Sequence, residues 1–433
     1  MTVVDGRPMR EQPVTVHRPD PGGPTRIPTD RYTSPEWAAR EAERLWPRVW
    51  QVACSVDHVA DAGDVFEHRA GWLSVLIVRG HDGVLRAFQN SCPHRGNAIC
   101  SGEARGVDEL RCPFHRWAWD TTGRSKEIPS RKWFGRVDDD EVGLVPAQVD
   151  VLGRMVFVNV DLDAMPLTEW LEGVTDDLVA RGTPLEDFRA SSLITQRVPA
   201  NWKVVAEGFS ETYHVQGIHP EMLRHMDEVH TEQRLWNRHG VSYQQYAVPS
   251  PRLRDVTDQD VWDTWVQSMG SRFGVAEDSE PPLPDLAAGA TAQDAIADAI
   301  KAHNAAKGVD LSHLTSAETT RLTQYNLFPN ATVLVWAEMI NVLAALPGIT
   351  PDTATLVSLN FDLAPPGAPR SEPFTAELPE GTDLGIVLGQ DVSVMATAQL
   401  GLHQPGRTHL LVSDEECRVI NLNRNLDDWL GEA

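Results

Sequence analysis

The chain is poor in cysteine, in long apolar runs and in basic charge. Its five cysteines, at 54, 92, 100, 112 and 417, are few and odd in number for 433 residues, which argues against a disulfide framework. No apolar stretch approaches the roughly 20 residues that a membrane helix needs. The opening MTVVDGRPMREQPVTVHRPDPGG lacks an apolar core behind its first charges, so no secretory leader is expected and a cytoplasmic location is. Lys and Arg number 38 against 62 Asp and Glu, a net charge of −24. That balance repels phosphate backbones and anionic lipid, and it removes nucleic acid and membranes from the expected partners. The surplus acid serves solubility, or docking on a basic patch of another protein.

What is present is an ordinary globular composition, 41% apolar and 23% charged, in a chain long enough for roughly two domains. Pro, Gly and charge dominate residues 1–30, an arm that would order only against the rest of the molecule. SPEWAAREAERLW then predicts a helix from Ser34 to about Leu45, with Ser34 as its cap. Short β-branched and aromatic runs between Gly and Asp punctuation (WQVACSV, WLSVLIV, RMVFVNV) mark residues 46–165 as an antiparallel β domain. Residues 166–433 mix strands and helices. A helix is predicted from about Trp202 to His214, an amphipathic one over TAQDAIADAIKAHNAA, and a closing one over GTDLGIVLGQDVSVMATAQLGL.

Two short blocks carry the first chemistry. CPHR places Cys92 and His94 two apart, CPFHR places Cys112 and His115 three apart, and seventeen residues separate His94 from Cys112. Two thiolates and two imidazoles are a metal set, suited to zinc or to an iron–sulfur cluster. A zinc finger would pair Cys with Cys and His with His. Here each loop is mixed, the arrangement that gives one iron two sulfurs and the other two nitrogens. CPHRGN, the spacer and CPFHRWAWDTTG resemble the Rieske [2Fe–2S] domain. Cys100 fits neither loop and reads as a small buried residue, while Trp117 and Trp119 are placed to pack over the cluster or in the core.

A Rieske domain alone needs only part of this length. AEGFSETYHVQGIHP holds Glu207, Glu211, His214 and His219. On one continuous helix the first three share a stripe, and Gly217 with Pro220 would stop the helix and swing His219 back towards His214. Two histidines and a carboxylate leave open positions on Fe(II), as in non-haem oxygenases. His225 and His230 repeat the spacing without a breaker and read as surface or satisfied residues. His58, His68, His81, His239 and His313 read as surface residues.

With these motifs in this order, most of the chain resembles the large subunit of Rieske non-haem iron oxygenases. The resemblance implies an α+β fold, an all-β Rieske domain followed by a helix-grip catalytic domain, in which an antiparallel sheet wraps a long helix. It implies a Rieske [2Fe–2S] cluster on Cys92, His94, Cys112 and His115, and mononuclear iron on His214, His219 and a late acid. Asp391 is the choice for that acid and Asp383 the runner-up. Glu211 takes the place of an acid, more often Asp, that bridges a cluster histidine of one chain to an iron histidine of the next. Glu207 would orient His214, or steady the helix, or form a structural ion pair. The implied partners are O2, a small-molecule substrate and an NAD(P)H-dependent reductase with or without a ferredoxin. Trimers are implied, with or without small subunits.

Hydroxylation or dihydroxylation of a hydrophobic, aromatic substrate is the leading expectation, from prevalence in the family. Oxidative N- or O-demethylation or cleavage, including that of quaternary ammonium substrates, is the alternative that the Glu at 211 suggests. A Rieske electron carrier without oxygenase activity and a zinc-binding interaction module are the readings from other classes. Trp336, Met339, Leu343 and residues near Phe209 would line an apolar cavity or form plain core.

Overall fold

Ser34 starts the first long helix as expected. In the computed structural model of the chain its hydroxyl accepts from the backbone N–H groups of Glu36 and Trp37, and α1 (Pro35–Arg44) follows with Pro35 in its first turn. The structure describes residues 26–276 and 279–431, with the backbone of a short ladder between Val3–Val4 and Arg7–Pro8. The rest of the expected N-terminal arm, up to residue 25, lies outside the described residues.

Ten strands follow: Gln51–Ser55 (β1), Val65–Ala70 (β2), Leu73–Arg79 (β3), Leu85–Gln89 (β4), Glu103–Ala104 (β5), Leu110–Arg111 (β6), Ala118–Trp119 (β7), Ser125–Glu127 (β8), Pro146–Leu152 (β9) and Met155–Asn159 (β10). Seven form one antiparallel sheet in the order β1-β10-β9-β4-β3-β2-β5, and three form a second in the order β8-β7-β6. Strand β3 is buried on both faces, so its run LSVLIVR is nearly continuous in apolar residues. Val75 and Ile77 join the core shared with the C-terminal half, while Leu76 and Val78 pack in a separate core with Cys92 and Cys112.

The C-terminal half is an eight-stranded sheet. Its members are Phe188–Val198 (β11), Met226–Leu235 (β12), Gly240–Tyr246 (β13), Arg321–Leu327 (β14), Ala331–Val335 (β15), Met339–Pro347 (β16), Ala354–Leu363 (β17) and Phe374–Leu378 (β18). The order is β12-β13-β14-β15-β16-β17-β11-β18, antiparallel except for the parallel pair β11–β18. Helix α2 (Trp202–Gly208) lies on β16 and β17, the short α3 (Val215–Ile218) follows, and α4 (Asp258–Met269) and α5 (Ala292–Ala306) cover one end. Helix α6 (Ile386–Leu402) packs against α2 and β11. This is the expected sheet gripping a long helix. Helix α6 does not close the chain, because α7 (Cys417–Leu430) follows it. Among the described residues no helix is long and apolar enough to cross a membrane.

The helix expected from Trp202 to His214 stops at Gly208. The carbonyl of Phe209 should accept from the N–H four residues on, but it accepts instead from the side chains of Gln324, Asn326 and Thr332 on β14 and β15. Three donors from the sheet floor outcompete one helical bond, and Gly208 offers little helix propensity to resist them. At the start of the same helix, buried Lys203 meets Glu41 of α1 at 2.5 Å, and the Trp202 indole N–H donates to the other oxygen of Glu41 at 2.9 Å.

Several histidines expected at the surface are inside. His58, His68 and His239 are buried, as is His225, while His81, His230 and His313 are exposed. The region of His225 and His230 is a strand from Met226, not a helix. Each buried ring has a hydrogen-bonding partner suited to the neutral form. His58 Nδ1 accepts from the Ser55 N–H, His68 Nε2 pairs with the Gln51 side-chain carbonyl, and His225 Nε2 pairs with the Ser268 hydroxyl. His239 accepts from the Phe328 N–H and donates to the Trp170 carbonyl. Burial pushes all four down to about 4. Folded, they stay neutral while the unfolded chain gains protons, so their stabilising effect is complete above about pH 6.5 and is lost as pH falls through 4. Chemical-denaturation midpoints should therefore fall steeply from pH 6.5 to 4, and His68→Gln should shallow that slope; an unchanged slope would mean that His68 is charged inside.

Candidate functional site

The CPHR and CPFHR loops are built alike. The Cys92 N–H donates to the carbonyl of Asn97, five residues on, and the Cys112 N–H to that of Trp117, also five on. The Cys92 carbonyl accepts from Gly96 and the Cys112 carbonyl from Arg116, each four on. Both residues in that fourth place are left-handed, Gly96 at φ 73° and Arg116 at φ 68°. Glycine takes this conformation freely. Arginine does not, and its carbonyl is held by Arg111 Nη1 at 2.8 Å.

The loops bring all four predicted side chains together. The Cys112 thiol lies beside that of Cys92, which burial and this neighbour push up. The rings of His94 and His115 are 4.5 Å apart. His94 Nδ1 is buried and, among the described residues, without a hydrogen-bond partner, an orphan that a metal would satisfy. Trp117 stacks on His94 at 5.1 Å, and Phe134 closes its edge at 5.6 Å. Trp119 is core, donating to the Val142 carbonyl. Cys100 is half-buried rather than buried and stands apart from the set.

The second set converges between α3 and α6. His219 Nε2 lies 2.8 Å from Asp391 Oδ1, His214 Nε2 lies 3.6 Å from the same oxygen, and the three ligand atoms fall within 4.8 Å of one another. Pro220 lies where the helix ends, as expected: α3 stops at Ile218 and His219 turns back, while Gly217 sits inside α3. His214 Nδ1 meets Glu211 Oε1 at 2.5 Å, and Glu211 Oε2 accepts the His214 N–H at 3.0 Å. Burial pulls the His214 imidazole down, but the Glu211 hydrogen bond and the charges of Glu211 and Asp391 outweigh it and raise it. The place between these groups favours a cation. Asp383, the runner-up, accepts from the Gly385 N–H at the start of α6 and is absent from the set.

Comparison with known proteins agrees with this geometry. Residues 184–432 match the family described as ring hydroxylating alpha subunit (catalytic domain), and residues 49–157 match the Rieske [2Fe–2S] domain. The chain belongs to the Rieske oxygenase large-subunit family. It is 30% identical over 225 residues to the carnitine monooxygenase oxygenase subunit of Escherichia coli K12, 52% of this chain and 59% of the relative. The match thus spans little more than half of that protein's length. Among solved structures, a quaternary ammonium Rieske monooxygenase superposes with a TM-score of 0.68 at 18% identity, covering 95% of this chain and 96% of the other. Naphthalene 1,2-dioxygenase from Rhodococcus sp. superposes with 0.63 at 16%, covering 94% and 95%. The fold is common to both and does not separate them. A Rieske [2Fe–2S] cluster and a non-haem iron are the cofactors of this family, and both side-chain sets are of the right chemistry for them.

Glu207 does not orient His214. It stays on α2, where Tyr32 donates to it at 2.8 Å and Asn423 at 2.8 Å, and the break at Gly208 carries His214 away from it. A periodicity argument that assumed one helix put it on the wrong face. Of the expected cavity residues, Phe209, Leu343 and Trp336 are buried in cores and Met339 is half-buried. Trp336 packs edge-on to Tyr246 at 4.9 Å, and the guanidinium of Arg272, paired with Glu338, lies 4.2 Å over its ring. Burial above all, with the charge of Asp391, pushes the Tyr246 phenol up.

Leu334, Asn341, Asn360 and Ser192 are opposed across neighbouring strands on the face that carries α2. All four are half-buried, whereas Val333, Ile340, Leu359 and Phe361 on the other face are buried. Asn341 donates to Asn360 at 2.7 Å and Asn360 to Ser192 at 2.9 Å, so part of the floor is polar. Gln390, which touches His219, escaped the sequence reading because an amide beside a carboxylate on a helix has no diagnostic spacing.

Glu207 gives a pH test. Burial raises it to about 7, so the folded state holds its proton longer than the unfolded one. Its stabilising contribution is complete below about pH 4.5 and is lost as pH rises through 7. Glu207→Gln should match the parent at pH 4.5 and exceed it by about 1–3 kcal/mol at pH 8 in denaturant titrations. No gain at pH 8 would mean that the group is already a carboxylate.

Proposed function

We propose that the chain is the terminal oxygenase of a monooxygenase system acting on a quaternary ammonium compound. The observation that carries the oxygenase reading is the convergence of His214, His219 and Asp391 in a chain that also holds a separate Cys/His set. In this proposal Cys92, Cys112, His94 and His115 hold the cluster, and His214, His219 and Asp391 hold the iron. When bound, these groups supply open coordination positions for O2 and the two electrons beyond those that the substrate provides.

The protein's own residues shape that chemistry. Trp117 and Phe134 limit water at His94, and Glu211 fixes His214 by accepting at Nδ1, leaving Nε2 towards Asp391. Glu211 also serves as the link to a cluster histidine of a neighbouring copy, in a trimer with or without small subunits. Electrons come from an NAD(P)H-dependent reductase, directly or through a ferredoxin.

The substrate class rests on two supports. The matched relative is named for carnitine, and a net charge of −24 draws cations. This is the second of the two classes set out from the sequence, preferred here to the aromatic one.

Anaerobically purified protein should hold about three irons per chain, give a Rieske EPR signal on reduction and a separate ferrous–nitrosyl signal with nitric oxide. Zinc without iron would remove the redox reading, and two irons without the nitrosyl signal would leave an electron carrier. With a reductase and labelled O2, carnitine-like compounds should take up one labelled atom or release an aldehyde fragment. Two labelled atoms entering naphthalene would restore the aromatic reading. Glu211→Ala should keep both metals and lose nearly all coupled turnover; unchanged turnover would remove Glu211 from the electron path.

A further inference from the structure

The two histidines of the mononuclear set are held by different chemistry. His214 Nδ1 faces the carboxylate of Glu211 at 2.5 Å. His219 Nδ1 faces the side-chain carbonyl of Gln390 at 2.7 Å, and the amide N–H of Gln390 donates to Glu221 Oε1 at 2.9 Å. His219 is 1% exposed and has little room to turn. Gln390 and Asp391 are neighbours on α6, and together they grip opposite nitrogens of one ring, Gln390 at Nδ1 and Asp391 at Nε2.

The hydrogen-bonding capacities leave one arrangement. A carboxylate only accepts, so the NH2 end of Gln390 must face Glu221 and its carbonyl must face His219. That carbonyl also only accepts, so the ring proton of His219 must sit on Nδ1. Nε2 is then the nitrogen left to face the point where His214 and Asp391 converge, 2.8 Å from the Asp391 carboxylate, and it is the one that iron there would use. Glu221 sits two residues after His219, on the turn that Pro220 begins, so the same chain reversal that returns the ring also delivers the group that orients its partner.

We infer that Gln390 and Glu221 are positioning residues: Glu221 orients the Gln390 amide, and Gln390 sets the His219 tautomer that binds iron. The inference rests on the iron-site reading above. The His219 side is thereby neutral at its first hydrogen bond and charged only one residue further out, whereas the His214 side is charged at once. This asymmetry reserves the carboxylate contact at Nδ1 for the histidine at the more open side, 20% exposed at its side chain against 2%.

The test uses full-length protein that retains its cluster but is stripped of mononuclear iron, with cluster absorption as the control for folding. Fe(II) affinity is read by competition with a chelator, and the His219 tautomer by 15N shifts of the iron-free rings. Gln390→Leu should weaken Fe(II) binding about 10- to 100-fold and shift the His219 Nδ1 signal away from its hydrogen-bonded position. Glu221→Ala should fall between that variant and the parent. A Gln390→Leu protein with parental affinity and an unchanged Nδ1 signal would overturn the inference while leaving the iron site intact. A parent that takes up no Fe(II), or an Asp391→Ala protein that takes it up undiminished, would overturn the iron-site reading and the inference with it.

Discussion

The carbonyl of Phe209 decides the path of the catalytic half. Gln324, Asn326 and Thr332 capture it from below, and the helix that begins at Trp202 cannot pass Gly208. Everything beyond depends on that stop. The chain leaves the helix axis, so Glu211 and His214 no longer share a face with Glu207 and can meet α6 from the other side. Had the helix continued, a carboxylate that now bonds Tyr32 and Asn423 would have pointed with the histidines. The sheet therefore does more than support the site from beneath; its amides cut the helix at the length that lets His214, His219 and Asp391 converge.

Local chemistry explains what could be read from the sequence and what could not. The two Cys/His loops are self-contained turns, and Ser34 and Pro220 act on the backbone next to them, so their effects were legible from neighbouring residues. The break at Gly208 depends on donors more than a hundred positions away, which no periodicity reports. Asp391 was legible only through resemblance, since LGQDVSV on a helix carries no ligand spacing of its own. Gln390 was not legible at all. The buried histidines failed for a similar reason: His68 needs Gln51 and His239 needs Phe328 and Trp170, contacts that form only once sheets have paired.

Two kinds of histidine thus coexist. His58, His68, His225 and His239 are sealed in, and burial keeps them neutral. His94, His115, His214 and His219 are gathered in pairs with thiols or carboxylates, at places where a positive ion relieves an otherwise poor match of charges and lone pairs. Proximity to an acid or a sulfur, rather than depth, separates the two groups.

The shared hydrogen-bond plan of the Cys92 and Cys112 loops has a mechanical meaning. Each loop is a ring closed by the same two backbone bonds around a left-handed residue, so the two halves of the cage share one backbone plan. The second ring carries an extra strap, because the Arg116 carbonyl is tied to Arg111 while glycine turns the first. A cluster gripped between them would meet the same outline on both sides with the firmer anchor on the Cys112 side.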